Sequence, residues 1–158
     1  MKKGKYFFCI GIFFAIFLFS CKNQEKEDEK TALSEYIKSN SIKELPKKSG
    51  LYYISIDTAD TFSADAEYPK KGDTIFVKYK GSLIDNTVFT QVESPQSFIY
   101  IEQSAIKGWD EGISYMKKGI IARFIIPSEL GYGKYGSGPI PAYSTLIFDV
   151  ELVDIKKR

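Results

Sequence analysis

The sequence has no histidine, and both of its cysteines, Cys9 and Cys21, lie near the N-terminus. Histidine is the commonest general base and metal ligand in proteins, and the two cysteines have no zinc-binding spacing. We therefore expect neither a metal nor a cofactor. Aromatic side chains are abundant instead, with 11 Tyr, 12 Phe and one Trp among 158 residues. The residues that stand out are therefore aromatic ones, which can line an apolar site.

The single Trp lies in the stretch Ala105–Gly112, which reads as a strand or loop that enters a short helix at Trp109. Two acidic residues fall in the first helical turn, where the helix dipole favours negative charge, and residues 117–119 suit its end. One face is apolar at helical spacing, through Ile106, Trp109, Ile113 and Met116. Alone, Trp109 is expected in the core. At the start of a buried helix, after glycine, it can also form the floor of a site.

Most of the other elements read as strands, because apolar and polar residues alternate along them. These runs are residues 51–56, 75–80, 98–101, 122–126 and 146–152. Between them we predict a polar loop, a hairpin turn and a long ordered loop at residues 58–69, 85–86 and 130–143. We predict an α+β fold, a twisted antiparallel β-sheet wrapped around one short α-helix, since this buries both apolar faces.

Length and charge limit the function classes. A chain of 158 residues supports one domain plus tails, and 44% hydrophobic residues are enough for a core. The net charge is +2, and beyond residues 1–20 the chain has 19 basic and 20 acidic side chains. Nucleic-acid binding depends on basic charge, so we expect no nucleic-acid partner.

Residues 1–20 read as a signal peptide. Three lysines precede 14 uncharged residues, Tyr6–Phe19, a run too short for a membrane span of about 20 residues. Leu18–Cys21 resembles the lipobox of bacterial lipoproteins, which implies that Cys21 becomes a lipidated N-terminus. The alternatives are a conventional signal peptide cut near Ser20, or an uncleaved anchor.

Residues 21–49 are predicted to connect this anchor to the domain. Residues 22–30 are polar and charged, so we expect a solvated tether, and their acidic run could alternatively act as a surface-export signal. Thr31–Leu45 is predicted to be a short helix capped by Thr31, interrupted near Asn40 and ended by Pro46. The predicted organisation is a signal peptide at 1–20, a tether with a short helix at 21–49, and a domain at 50–158.

Motifs over Gly50–Ile155 together resemble the FKBP-type peptidyl-prolyl cis-trans isomerases. The matching runs are Gly72–Gly81, Phe89, Ala105–Gly112 with Met116, Ile126-Pro127, Gly131–Gly133, Ile140-Pro141 and Ser144–Leu152. The lipoprotein-like start also resembles the gliding-motility-associated lipoprotein isomerases of Bacteroidetes-type bacteria. The resemblance implies an FKBP-like fold and a site between sheet and helix.

By this resemblance, Trp109 is the floor of the site and Tyr132 offers its hydroxyl to a substrate carbonyl. The backbone N–H of Ile106 is expected to do the same on the other side of the proline. The implied catalytic residues are Tyr79, Phe89, Ile106, Trp109, Tyr132 and Phe148, and the implied substrate-binding residues are Thr90, Ala105 and Ile140. On sequence pattern alone, Tyr79 and Phe148 are both expected in the core.

Four positions depart from the family pattern. Thr90 stands where the family usually has an aspartate that hydrogen-bonds the tyrosine hydroxyl, and Gln96 replaces an aromatic residue. Ser137 stands where histidine is frequent, and Asn86 replaces a turn glycine, which asparagine can do because it tolerates positive φ. The fold is therefore expected to be retained, with Thr90 and Gln96 bearing on catalytic strength.

The predicted function is peptidyl-prolyl isomerisation that assists the folding of envelope proteins, with proline-containing polypeptides as clients. The alternatives are a weakly active proline-binding chaperone and a structural lipoprotein of a gliding or secretion apparatus. We expect a monomer anchored in the cell envelope through lipid on Cys21, at the outer membrane or its periplasmic face or displayed on the surface.

Overall fold

The computed structural model describes residues 24–56, 67–100 and 105–158. Cys21, the predicted signal peptide, most of the polar loop at 58–69 and residue 101 lie outside the described residues. The helices are α1 (residues 24–39) and α2 (Lys107–Ser114), and the strands are β1 (Tyr52–Ser55), β2 (Thr74–Leu83), β3 (Val88–Ile99), β4 (Ile121–Ile126) and β5 (Leu146–Lys156). Short 3-10 helices lie at Ser128–Leu130 and Gly133–Tyr135.

The five described strands form one antiparallel sheet in the order β1-β4-β5-β2-β3. Helix α2 packs against one face, here called the inner face, where Phe124 and Phe148 are paired neighbours on β4 and β5. The alternating runs predicted as strands are confirmed at β1, β2, β4 and β5. The turn at 85–86 is also confirmed, and Asn86 adopts a φ of 70° there.

Helix α2 is shorter than its sequence pattern predicts. It starts at Lys107 rather than Trp109 and ends at Ser114, before Lys117. Its C-terminal turn tightens, because the N–H groups of Tyr115 and Met116 donate to carbonyls three residues back. Gly119 does have a positive φ of 86°, but it serves the turn into β4 and not the helix end.

Residues 24–30 of the predicted tether are not a flexible spacer but the first part of helix α1, residues 24–39. Thr31 is inside this helix and does not cap it, since its hydroxyl donates to the Glu27 carbonyl at 3.0 Å. The interruption predicted near Asn40 is instead the end of the helix, which does not resume before Pro46, and Leu45 is 85% exposed. The two described α-helices, α1 and α2, are therefore the two that the sequence predicts, each with shifted ends.

Helix α1 crosses the outer face of the sheet. Arg123 and Asp149, paired on that face, form a bidentate ion pair at 2.6 and 2.9 Å, which raises the pKa of the arginine; a smaller contribution comes from Tyr36 of α1. At its other end, α1 bonds residues that follow β4 and precede β5. Ile125 and Ile147 lie between these contacts and are 0% and 3% exposed. We infer that α1 buries them.

Candidate functional site

A cavity of about 630 Å³ opens between α2, the inner face of the sheet and the loop between β4 and β5. All nine predicted catalytic and substrate-binding residues line it: Tyr79, Phe89, Thr90, Ala105, Ile106, Trp109, Tyr132, Ile140 and Phe148. The volume lies within the usual range for small-ligand sites, about 300–1,000 Å³. The sequence motifs, far apart in the chain, therefore meet in one place.

Aromatic rings set edge to face form the base of the cavity. Trp109 lies 5.2 Å from Tyr79 and 5.2 Å from Phe148, measured between ring centroids, at interplanar angles of 75° and 74°. Phe89 meets Phe148 at 5.5 Å and 81°. Such edge-to-face pairs stabilise one another beyond simple burial. Tyr79, Phe89, Trp109 and Phe148 therefore form one cluster of contacting rings. This cluster, which includes the floor, is here called the aromatic wall.

Strand geometry and two glycines position the aromatic wall. Alternate side chains of β2 and β5 point to the inner face, which brings Tyr79 and Phe148 to the same side. A Cβ on Gly81 would lie 2.6 Å from the Phe89 ring, so only glycine leaves room for that ring. A Cβ on Gly112 would lie 2.6 Å from Phe124, the buried ring beneath Trp109. Glycine here lets α2 approach the sheet closely.

The opposite wall is a loop and is held differently. This wall, here called the loop wall, is residues 127–145 and contributes Tyr132 and Ile140. Ser137 and Ile140 exchange two backbone hydrogen bonds of 2.9 Å, and Ile140 is 7% exposed. Tyr132 is 37% exposed, and within the described part of the chain its hydroxyl makes no hydrogen bond. That hydroxyl is therefore available to a ligand.

The polar groups of the cavity are few. Thr90 is half-buried and lines the cavity, whereas Gln96 is exposed on β3 and does not line it. Asp110 is the one acidic residue among the described lining residues. In the described ranges, no group of His, Cys, Asp or Glu side chains is arranged to hold a metal ion. The site as described thus offers aromatic contact and a few hydrogen-bonding groups.

Sequence reasoning missed part of the rim. Ile75, Phe98, Ile99, Tyr100 and Asp110 also line the cavity. Phe98 and Ile99 are 42% and 62% exposed, at the end of β3. The predicted strand at 98–101 could have indicated them, because Phe98, Ile99 and Tyr100 are consecutive large apolar residues and cannot all face the core. They give the entrance of the cavity an apolar edge.

Asp73 hydrogen-bonds to Tyr100 of this rim and to the turn before β2. Its backbone carbonyl accepts the Tyr100 N–H at 2.8 Å, and its carboxylate accepts the Lys70 N–H at 2.8 Å. The hydrogen bond from Lys70, followed by those from Arg158 and Lys157, holds the pKa of the Asp73 carboxyl below its ordinary value. The carboxylate therefore stabilises the turn that precedes β2.

Known proteins share both the sequence and the fold. Residues 65–153 match the sequence profile of the FKBP-type peptidyl-prolyl cis-trans isomerases. The isomerase FkpA of Escherichia coli K12 is 40% identical over 131 residues, which are 81% of this chain and 43% of that relative. The chain thus spans less than half the length of this curated relative.

Two crystal structures align with the chain. That of Escherichia coli FkpA superposes with a TM-score of 0.67 at 32% identity, covering 99% of this chain and 74% of that one. A peptidyl-prolyl cis-trans isomerase from Pseudomonas syringae pv. tomato superposes with a TM-score of 0.69 at 26% identity, covering 85% and 96%. These alignments agree with the five-stranded antiparallel sheet and its helices.

Proposed function

Because the chain belongs to the FKBP-type peptidyl-prolyl cis-trans isomerase family, we propose that it catalyses rotation about Xaa-Pro bonds in polypeptides of the cell envelope. The observation that carries this is the cavity whose floor is Trp109 and whose walls are aromatic. Flat aromatic faces suit a pyrrolidine ring. The substrates would be incompletely folded chains, since only there are such bonds accessible to a pocket of this size.

The chemistry follows from amide resonance. A planar Xaa-Pro amide is stabilised by charge separation, and its uncatalysed isomerisation takes tens to hundreds of seconds. The twisted transition state has lost much of that resonance, so its carbonyl is less polar. An apolar pocket that excludes water therefore favours the twisted form over the planar one, and this difference in binding is the catalysis. No nucleophile, metal or cofactor takes part.

Two hydrogen-bond donors would hold the substrate in register. The Tyr132 hydroxyl, without a partner among the described residues, would donate to one substrate carbonyl. The Ile106 N–H, at the position before α2, would donate to the other. In the described chain no group accepts from that N–H either. Ile106 and Tyr132 both line the cavity, so the two donors could bind the carbonyls on either side of a bound proline.

Thr90 favours a second candidate, a proline-binding chaperone with slow turnover. In the family pattern an aspartate at this position orients the tyrosine hydroxyl, whereas Thr90 carries no charge. A site that binds proline but orients Tyr132 poorly would capture clients and release them slowly. Such a protein would suppress client aggregation without faster isomerisation. The third candidate, a structural lipoprotein that docks through helix α1, is weakened because α1 is hydrogen-bonded to Ser128 and Thr145 of its own domain.

We further propose that the protein is a lipoprotein, with residues 1–20 removed as a signal peptide and lipid, including palmitate, on Cys21. None of the described helices is long and apolar enough to cross a membrane. Cys21 and residue 24, where α1 is already helical, are three residues apart, a reach of at most about 11 Å. A lipidated Cys21 would therefore hold a monomeric domain close to the surface of an envelope membrane.

Pocket variants test this function. The cis-to-trans rate of a short Xaa-Pro peptide would be measured with the protein purified in detergent, and with its Phe148→Leu and Phe76→Leu variants. Phe76 is a half-buried residue of β2 that does not line the cavity, so it controls for the loss of a ring. We expect Phe148→Leu to lose most of the acceleration and Phe76→Leu to keep it. Equal activity in all three would refute the assigned site.

A further inference from the structure

Glu29 is a buried carboxylate on a helix whose other described acidic residues are exposed. Its side chain accepts hydrogen bonds from the Ser128 N–H at 2.7 Å, the Ser128 hydroxyl at 2.5 Å and the Thr145 hydroxyl at 2.8 Å. Glu29 is 9% exposed, Ser128 2% and Thr145 3%. Burying a carboxylate is costly unless hydrogen bonds replace its water. Here three donors replace that water.

These donors lie at the two ends of the loop wall. Ser128 is the second residue after β4, and Thr145 directly precedes β5. One oxygen of Glu29 accepts from the Ser128 N–H and the Thr145 hydroxyl, so a single atom connects the two ends of the loop wall. The sequence separations are 99 and 116 residues. The contact therefore connects helix α1, distant in sequence, to the loop that forms one wall of the cavity.

The loop transmits this contact to the cavity. The carbonyl of Ser128 accepts the Gly131 N–H at 2.9 Å, and the carbonyl of Gly133 accepts the Tyr143 N–H at 2.9 Å. Tyr132 lies between these two bonded glycines. Lys26 and Glu129 form a second link between α1 and the loop, at 2.5 Å. A shift of Ser128 would consequently move the backbone that presents Tyr132.

We propose that Glu29 is a positioning residue for the isomerase site, acting through Ser128 and Thr145 on Tyr132 and Ile140. This inference rests on the proposed function. Without the carboxylate, the Ser128 N–H would be buried without an acceptor, and the loop end would have to move toward water to satisfy it. The family profile begins at residue 65, so Glu29 lies outside the matched region while Ser128 and Thr145 lie inside it.

Matched substitutions at two positions of α1 test the proposal. Glu29→Ala and Glu29→Gln are compared with Glu35→Ala and Glu35→Gln, since Glu35 is exposed on the same helix. Isomerase kcat and KM are measured well below the melting temperature of the least stable variant. We expect Glu29→Ala to lower kcat/KM about tenfold or more, because displacements of about 1 Å can cost up to about a hundredfold. Both Glu35 variants should match the native chain.

Glu29→Gln should recover most of the activity. The amide oxygen can accept from the Ser128 N–H and from Thr145, while the Ser128 hydroxyl can turn to accept from the amide N–H. In the Glu29→Ala variant we also expect faster hydrogen exchange at the Gly131 and Tyr143 amides, with exchange in β4 and β5 unchanged. A purely structural role would lower the melting temperature and leave kcat, KM and loop exchange at their native values, which would overturn the proposal.

The Thr145→Val variant tests whether the effect of Glu29→Ala comes from its hydrogen bonds to the loop or from a general loss of packing. It removes one donor to Glu29 at nearly constant volume, so it should lower kcat/KM in the native chain and have little effect in Glu29→Ala. Equal effects in both backgrounds would contradict the proposal. If the native protein shows no turnover, the proposed function fails. The positioning role is then judged on loop exchange and on proline-peptide affinity, which Trp109 fluorescence reports: unchanged values in Glu29→Ala overturn it.

Discussion

The two walls of the cavity are built on different principles. The aromatic wall stands on strands and α2, and its rings contact one another and the buried core through Phe124 and Phe148. The loop wall carries Tyr132 and Ile140 on irregular backbone, tied by individual hydrogen bonds and by Glu29 from behind. Damage to the first wall should therefore cost stability and activity together. Damage to the second should cost activity with little stability.

The largest expected effect is on the aromatic wall. Phe124 is 0% exposed, supports Trp109 at 6.2 Å and stacks with Tyr53 at 5.8 Å. Phe124→Ala should lower the free energy of unfolding by about 3–5 kcal/mol, from lost burial and the cavity left behind. Urea denaturation measures this change. Because Trp109 loses its support, kcat/KM should also fall. A variant as stable as the native protein would show that this wall does not depend on the core.

Overfilling the same wall is expected to cost less. In Gly81→Ala the new methyl group would lie 2.6 Å from Phe89 and 2.7 Å from Thr90. We expect a loss of about 1–3 kcal/mol in unfolding free energy, typical of strain from an added methyl group, with weaker binding of proline peptides. Denaturation and peptide titration measure the two effects. If stability and affinity both stay native, the close approach of Phe89 to β2 is not a constraint.

A substitution in the loop wall should lower activity while leaving stability nearly unchanged. Tyr132→Phe removes only the hydroxyl, so we expect kcat/KM to fall about two- to tenfold, the value of one hydrogen bond. Its unfolding free energy should change by less than about 0.5 kcal/mol, since the side chain is partly exposed. Tyr135→Phe is the control, because Tyr135 is 83% exposed on the same loop and does not line the cavity. Equal losses in both variants would argue against a substrate contact at Tyr132.

The smallest effect concerns the rim near Tyr100. The lowered pKa of Asp73 means that its carboxylate stabilises the fold above the ordinary carboxyl pKa, and that this stabilisation is lost as pH falls through the lowered value. Asp73→Asn should therefore be less stable than the native chain at neutral pH, and the difference should disappear in strong acid. Thermal unfolding from pH 7 down to pH 2 measures it. A difference independent of pH would assign the loss to packing.

The aromatic wall was predictable from the sequence, since alternation fixes which strand residues share a face. Tyr79 and Phe148 follow from that pattern combined with the family motifs, and Trp109 from the glycine-flanked motif around it. Phe89 came from motif matching alone, because no alternating run was predicted at the start of β3. Ile140 and Tyr132 came from motif matching alone, because no periodicity reports where a loop places a side chain. Their roles in catalysis remain predictions for the experiments above.

Helix α1 was not predictable by the same means. Residues 24–30 are all polar or charged, and such composition is typical of solvated segments. Glu29 of this segment is paired with donors about a hundred residues away, a contact that no local pattern encodes. Half-buried Leu33, Tyr36 and Ile37 were correctly placed on one helix face, but the helix was predicted to start at Thr31, whereas residue 24 is already helical.

The most direct test of the central claim is the cis-to-trans rate of a short Xaa-Pro peptide, with the native protein beside its Thr90→Asp variant. The uncatalysed reaction takes tens to hundreds of seconds, so acceleration is easily resolved. We predict clear acceleration by the native chain, which would establish an isomerase whose site works without an acid at residue 90. Acceleration by the Asp variant alone would identify a proline-binding module on this fold. If neither protein accelerates the reaction, the proposed function is contradicted.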